Sequence, residues 1–131
     1  MALSLGRVLV IEDDPDIANI LAVALPPMGA TGVVVEATGT AGLERGLAEP
    51  FDLVLVDLLL PGKDGFDVVR GLRATIPPAQ CAMVFLTSAA RDVDARVVRL
   101  SGADGLIRKP FTLKSLARDL ALILASRSAT A

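Results

Sequence analysis

The chain has 131 residues, 53% of them hydrophobic and 21% charged, which fits one globular domain and excludes a disordered chain. Its formal net charge of −2 leaves no bulk-charge footprint for nucleic acid. It contains no histidine, which excludes histidine acid–base chemistry and histidine metal ligation, and its single cysteine, Cys81, can form no internal disulfide.

From the amino end, MALSLGRVLV lacks the basic n-region of a signal peptide. No apolar run approaches the ~20 residues that span a bilayer, so a cytoplasmic chain without membrane insertion is expected. RVLVIE (7–12) reads as a first strand, running straight into Glu12, Asp13 and Asp14. Asp14 precedes Pro15 and reads as the N-cap of a helix over 15–25, with proline at its first position. Pro26-Pro27 should end that helix. GVVVEA (32–37) is a second strand, followed by a helix near 39–48. FDLVLVD (51–57) is a third strand ending on Asp57, and Lys63-Asp64-Gly65 forms a turn and cap into a helix over 65–75. Lys63 follows Gly62, but Walker spacing and the following Ser/Thr are absent. CAMVFLT (81–87) is a fourth strand, with Cys81 as a small buried residue near its start and Thr87 at its end. A helix over 91–101 leads to GLIRKP (105–110), the fifth strand, which carries Lys109. In the last helix, 112–125, Leu113, Leu116, Leu120 and Ile123 or Leu124 recur at helical spacing. ASRSATA (125–131) reads as a frayed polar tail beyond a core of about 6–125.

Five β-α units in succession imply a doubly wound α/β sandwich with right-handed crossovers, one domain over 1–131. The first, third and fourth strands are almost continuously aliphatic, as parallel strands covered on both faces should be. In such sheets ligands sit beyond the carboxyl ends of the strands. Asp13, Asp57, Thr87 and Lys109 all fall there, so parallel strands bring them to one rim. Glu12, Asp13 and Asp57 would repel one another by about 4 kcal/mol per pair at 4 Å and an effective dielectric of 20. Lys109 alone cannot neutralise three carboxylates, whereas a hard divalent cation can, and Mg²⁺ suits an all-oxygen set that keeps exchangeable waters. Such a cation, with Lys109 and the Thr87 hydroxyl, makes a trap for a phosphoryl group. A carboxylate such as Asp57 can serve as the nucleophile and form an acyl phosphate.

IEDDP (11–15), LVLVDLLLPGKDGFD (53–67), FLTSAA (85–90) and GADGLIRKPF (102–111) together resemble the receiver domains of two-component response regulators, along nearly the whole chain. The resemblance implies a flavodoxin-like (βα)5 sandwich, CheY-like, with a parallel sheet of order 2-1-3-4-5. It implies that Asp57 accepts phosphate from a sensor histidine kinase or a histidine phosphotransfer protein. Glu12 and Asp13 then match the acidic pair, Asp13 binding Mg²⁺ directly and Glu12 through water, while Leu59 offers its backbone carbonyl to the metal. Thr87 matches the switch hydroxyl and Lys109 the phosphate-pairing lysine; Ser88 is a small residue that leaves room for the phosphoryl group. The expected protein is a regulator rather than an enzyme, without its own output domain. It would act on a downstream protein through the fourth helix, fifth strand and fifth helix, roughly 91–124. Arg91, Arg96, Arg99, Lys114, Asp92 and Asp94 are the charged candidates there. No direct nucleic-acid contact is expected, and the chain is a monomer or a phosphorylation-dependent dimer.

Two departures from the family pattern carry expectations. Leu106 stands where relatives often have Tyr or Phe, so switching should run through the loop after Thr87 and the fourth helix rather than through an aromatic swing. Leu59 and Ala89, two residues beyond Asp57 and Thr87, cannot orient an attacking water by hydrogen bonding, so the phosphoryl group should be lost slowly. The competing readings are a phosphorylation-independent interaction module and an aspartate-based phosphohydrolase. The latter needs a second aspartate on its nucleophile strand, which Asp57-Leu58-Leu59 lacks.

Overall fold

The computed structural model describes residues 3–88 and 93–130. Five strands, β1 (Gly6–Ile11), β2 (Ala30–Glu36), β3 (Leu53–Asp57), β4 (Ala82–Ser88) and β5 (Gly105–Lys109), pair in parallel in the order β2-β1-β3-β4-β5. Between and after them lie α1 (Pro15–Ala24), α2 (Gly39–Ala48), α3 (Gly65–Arg73), α4 (Ala95–Leu100) and α5 (Leu113–Thr130), with a 3-10 turn at Pro26–Met28. This is the doubly wound α/β arrangement that the alternation of short aliphatic runs and amphipathic stretches predicts, in the flavodoxin-like strand order that the receiver-domain resemblance implies.

Alternation along each strand divides the core into two layers. Val8, Val10, Leu53, Leu55, Val84 and Leu86 face one side with Leu21, Leu116 and Leu120. Leu9, Ile11, Val54, Val56, Met83 and Phe85 face the other with Val68, Val69, Leu72 and Val98. The central strands therefore need apolar residues at every position, and all five residues of β3 are buried, Asp57 included. Each fully buried Leu or Val contributes about 1.5–3 kcal/mol of transfer free energy. Helix α2 packs unusually closely because Gly42 faces β1: a Cβ there would come 2.4 Å from Ile11 Cδ1.

The capping expectations hold. Asp14 accepts from the Asp16 N–H at 2.9 Å with Pro15 in the first turn, and Asp64 accepts from the Asp67 N–H at 2.9 Å. Pro26-Pro27 divert the chain into the 3-10 turn after Ala24. Other boundaries differ. Helix α3 stops at Arg73, and α4 begins at Ala95, capped by Asp94, with Arg91 and Asp92 outside the described residues. Helix α5 does not end at residue 125 but continues to Thr130, since neither Gly nor Pro interrupts the Ala/Ser/Arg run. Leu116 and Leu120 are fully buried, whereas Leu113 is 59% exposed. Leu113 is the first residue of α5, at the end of the helical stripe. Among the described residues no helix is long and apolar enough to cross a membrane.

Candidate functional site

Parallel pairing lines up the carboxyl ends of β1, β3, β4 and β5. Asp57 is the last residue of β3, and the pairs Asp57↔Leu86 and Ser88↔Lys109 set the three neighbouring strand ends side by side. Beyond β1, the Glu12 N–H still donates to Glu36 O at 3.0 Å, which holds Glu12 in line with the sheet. The result is a cleft of about 290 Å³ lined by Glu12, Asp13, Asp14, Asp57, Leu59, Thr87, Ser88 and Lys109. Every residue the sequence predicts for the site is among them except Leu106, which lies lower on β5, and Ala89, which is outside the described residues.

The Lys109 ammonium bridges the acids, donating to Glu12 Oε1 at 2.6 Å and to Asp57 Oδ2 at 2.9 Å. Glu12 is 1% and Asp57 7% exposed, so both carboxyls have left water and need these partners. Their remaining oxygens take backbone donors: Asp57 Oδ1 accepts from the Leu59 N–H at 3.1 Å, and Glu12 Oε2 from the Asp14 N–H at 3.2 Å. Backbone donors of this kind leave no trace in side-chain identity, so no residue-by-residue reading could have named them.

Burial pushes the Glu12 carboxyl up from its ordinary 4.5 to about 7. Hydrogen bonding to Asp57 adds to the rise, while Lys109 pulls against it. For Lys109 burial opposes the charge, yet hydrogen bonds to Glu12 and Asp57 outweigh it and raise its pKa. The lysine is thus held as an ammonium.

Asp13 stands exposed at the mouth of the cleft. One oxygen each from Glu12, Asp13 and Asp57 lie within 4.8 Å of one another. Three carboxylates at this spacing, with no nitrogen or sulfur donor, form an acidic pocket of the kind that receiver domains use for Mg²⁺, and the donor set fits a hard divalent cation. Asp14, by contrast, turns its side chain to the amino end of α1 and caps it. Thr87 is buried at the end of β4, with its Oγ1 3.5 Å from Ser88 O, too long to hold the hydroxyl firmly. Lys63 lies on the exposed loop before α3 and does not line the cleft.

Leu106 is half-buried against the layer containing Phe85, its partner across β4 and β5. A neighbouring opening of about 440 Å³ is lined by Val93, Val98, Arg99, Leu106 and Arg108 among others. On the expected partner face, Arg96, Arg99 and Lys114 are exposed, but Asp94 is engaged as the α4 cap. Val97, Leu100 and Leu122 are exposed there too, so α4 and α5 offer apolar as well as charged contacts.

The family model described as response regulator receiver domain matches residues 8–121. The chain is 40% identical over 111 residues to the DNA-binding response regulator MtrA of Mycolicibacterium smegmatis, covering 84% of this chain and 46% of MtrA. It is 30% identical over 119 residues to the response regulator ArlR of Staphylococcus epidermidis, covering 90% of this chain and 52% of ArlR. The chain thus spans about half the length of the curated relatives it matches. Among solved structures, the CheY-like receiver domain protein of Methanospirillum hungatei superimposes with a TM-score of 0.82 at 26% identity, over 98% of this chain and all of the other. The chemotaxis response regulator CheY4 of Vibrio cholerae shares the fold, with a TM-score of 0.81 at 23% identity over 92% of this chain and 99% of CheY4. With the family match spanning most of the chain and an acidic cleft at the carboxyl rim of a 2-1-3-4-5 sheet, this chain belongs to the response regulator receiver domains of two-component systems.

Proposed function

We propose that this receiver domain is a phosphoacceptor whose Asp57 takes a phosphoryl group from a phosphohistidine, on a sensor histidine kinase or a histidine phosphotransfer protein in the cytoplasm. The observation that carries the reading is the Lys109 ammonium bridging Glu12 and Asp57 in a cleft where three carboxylates converge within 4.8 Å. A carboxylate oxygen of Asp57 attacks phosphorus; the new P–O bond forms as the P–N bond breaks, and the departing imidazole takes up a proton. Glu12, Asp13, Asp57 and the Leu59 carbonyl would hold Mg²⁺, Asp13 directly and Glu12 through water. The bound ion would neutralise charge on the acids and on the transferring phosphoryl oxygens. Lys109 supplies a second positive charge to those oxygens, and the loosely held Thr87 hydroxyl donates to one of them. Leu59 leaves the site without the second carboxylate that turnover of small phosphate esters would need.

Mass spectrometry after incubation with acetyl phosphate and Mg²⁺ tests this. The wild type is expected to gain one phosphate and Asp57→Ala none; equal labelling of both would sink the reading. The same samples followed in time should lose the group over minutes to hours, because the exposed Leu59 side chain at the cleft cannot orient water. A half-life of seconds would contradict that.

We infer further that switching runs through the segment after Thr87 and α4, with Leu106 changing its burial, toward a partner on the α4–β5–α5 face. MtrA is named a DNA-binding regulator, so in a longer protein this face could equally serve an attached output domain. Structures of the free chain and of the chain with beryllium fluoride should differ in that segment; superposition throughout it would refute the switch.

A further inference from the structure

The loop between β3 and α3 carries Leu59, and its two ends are fixed by the neighbouring strand β4 and by the start of α3. The Leu58 N–H donates to Leu86 O at 3.0 Å, and the Gly65 N–H donates back to Leu58 O at 3.0 Å. Its middle leans on a different part of the fold, the amino end of α2. The Gly39 N–H, one of the donors that a helix start leaves unpaired, donates to Pro61 O at 3.3 Å. A Cβ on Gly39 would stand 1.9 Å from Lys63 O and 2.7 Å from its carbonyl carbon. That neighbour is backbone, so no side-chain rotation could make room. Gly62, at φ +81°, meets α2 from the loop side, where a Cβ would lie 3.1 Å from Thr40 Oγ1.

Helix capping does not explain Gly39. Thr38 already caps α2, accepting from the Ala41 N–H at 3.1 Å, and Gly39 has no positive φ. A glycine there only weakens the helix relative to alanine. What it permits is the close approach of the loop.

We propose that Gly39 is a positioning residue for the cation site: by letting the loop seat on α2, it sets where the Leu59 backbone presents its N–H to Asp57 and its carbonyl to the ion. The inference rests on the phosphoacceptor reading above and adds to it a residue on an element that contributes no group to the cleft. Because the effect passes through placement of a ligand, it should appear in cation affinity rather than in the chemistry of a loaded site.

Binding of Mn²⁺, followed by the paramagnetic resonance of the free ion at 10 °C, is the direct test. Gly39→Ala is expected to weaken binding at least fivefold and to raise the Mg²⁺ needed for half-maximal labelling by a similar factor. Its labelling rate at saturating Mg²⁺ should stay within twofold of wild type. Gly42→Ala is the control, because its Cβ would strike Ile11 and not the loop. It should lose thermal stability yet keep Mn²⁺ affinity within twofold. Wild-type affinity in Gly39→Ala, or an equal loss in Gly42→Ala, overturns the proposal alone. A wild type that holds no Mn²⁺ overturns the reading of the site as well. If Gly39→Ala fails to fold, Gly62→Ala tests the same seam: it should bind Mn²⁺ weakly, and adding Thr40→Ala should recover at least twofold. Absence of that recovery also overturns the proposal.

Discussion

Replacing Lys109 with methionine is expected to cost the metal-free chain about 3 kcal/mol of stability at pH 8 and to slow labelling at Asp57 about 10²-fold. Both effects have one origin. The Lys109 side chain is 13% exposed and the carboxyls it joins are 0% and 10% exposed, so its removal leaves two buried acids with no cation between them. Breaking a buried pair by deleting one partner costs about 3–5 kcal/mol. The lower end applies because Glu12 has an escape: its carboxyl, already lifted to about 7, can take up a proton once the ammonium is gone. The loss should therefore shrink as pH falls from 8 to 5.5, where a protonated Glu12 can donate to Asp57 in place of the lysine. In labelling, the missing ammonium is a charge no longer presented to the phosphoryl oxygens, a contribution of about 3 kcal/mol in a partly desolvated cleft. Urea unfolding in EDTA at the two pH values checks the first part, and the initial labelling rate with acetyl phosphate checks the second. An equal stability loss at pH 5.5 and 8 would contradict the account.

Much of this site is legible in the sequence, for a definite reason. Parallel strands that begin at one edge must end at the other, so Asp13, Asp57, Thr87 and Lys109, each placed just past an aliphatic run, fall on one rim. The splitting of the acidic triplet is legible as well, because Asp14-Pro15 is a cap in its own right. What periodicity cannot report is the path of chain between elements. The Leu59 and Asp14 N–H groups that hold the two carboxyls belong to loop backbone, and any side chain would carry them equally. The close approach of Gly39 to the Lys63 carbonyl joins residues whose proximity depends on how the loop after β3 meets the amino end of α2. Leu113 fits the helical stripe of α5 but is exposed as the helix's first residue, a fact of element boundary rather than of pattern. Likewise Asp94 reads as an exposed contact residue until the true start of α4 shows it to be a cap.

Binding of Mg²⁺ should be strongly linked to pH through Glu12. Its carboxyl titrates near 7 in the folded chain against an ordinary 4.5, so the fold binds this proton more tightly than the unfolded chain does. Stability from this group is therefore fully present below pH 4.5 and is lost as pH rises through 7, by up to about 3 kcal/mol in the absence of metal. A divalent cation competes with the proton for the same acidic cluster, so its affinity must move the other way. Between pH 5.5 and 7.5 the ionised fraction of a group titrating near 7 grows roughly 25-fold, and the apparent Mg²⁺ affinity should rise by up to that factor. Glu12→Gln keeps the shape and an acceptor oxygen for Lys109, which remains balanced by Asp57. In the metal-free variant this contribution to the pH slope should vanish, leaving it about 2–3 kcal/mol more stable than wild type at pH 8. Its Mg²⁺ affinity should fall at least tenfold and lose most of its pH dependence. Unfolding curves with and without Mg²⁺ read both quantities, since a ligand at free concentration L that binds only the folded state stabilises it by RT ln(1 + L/Kd). A wild-type affinity unchanged from pH 5.5 to 7.5 would mean that the proton on Glu12 and the cation do not compete. Glu12 would then lie outside the cation's site, leaving Asp13 and Asp57 to hold it.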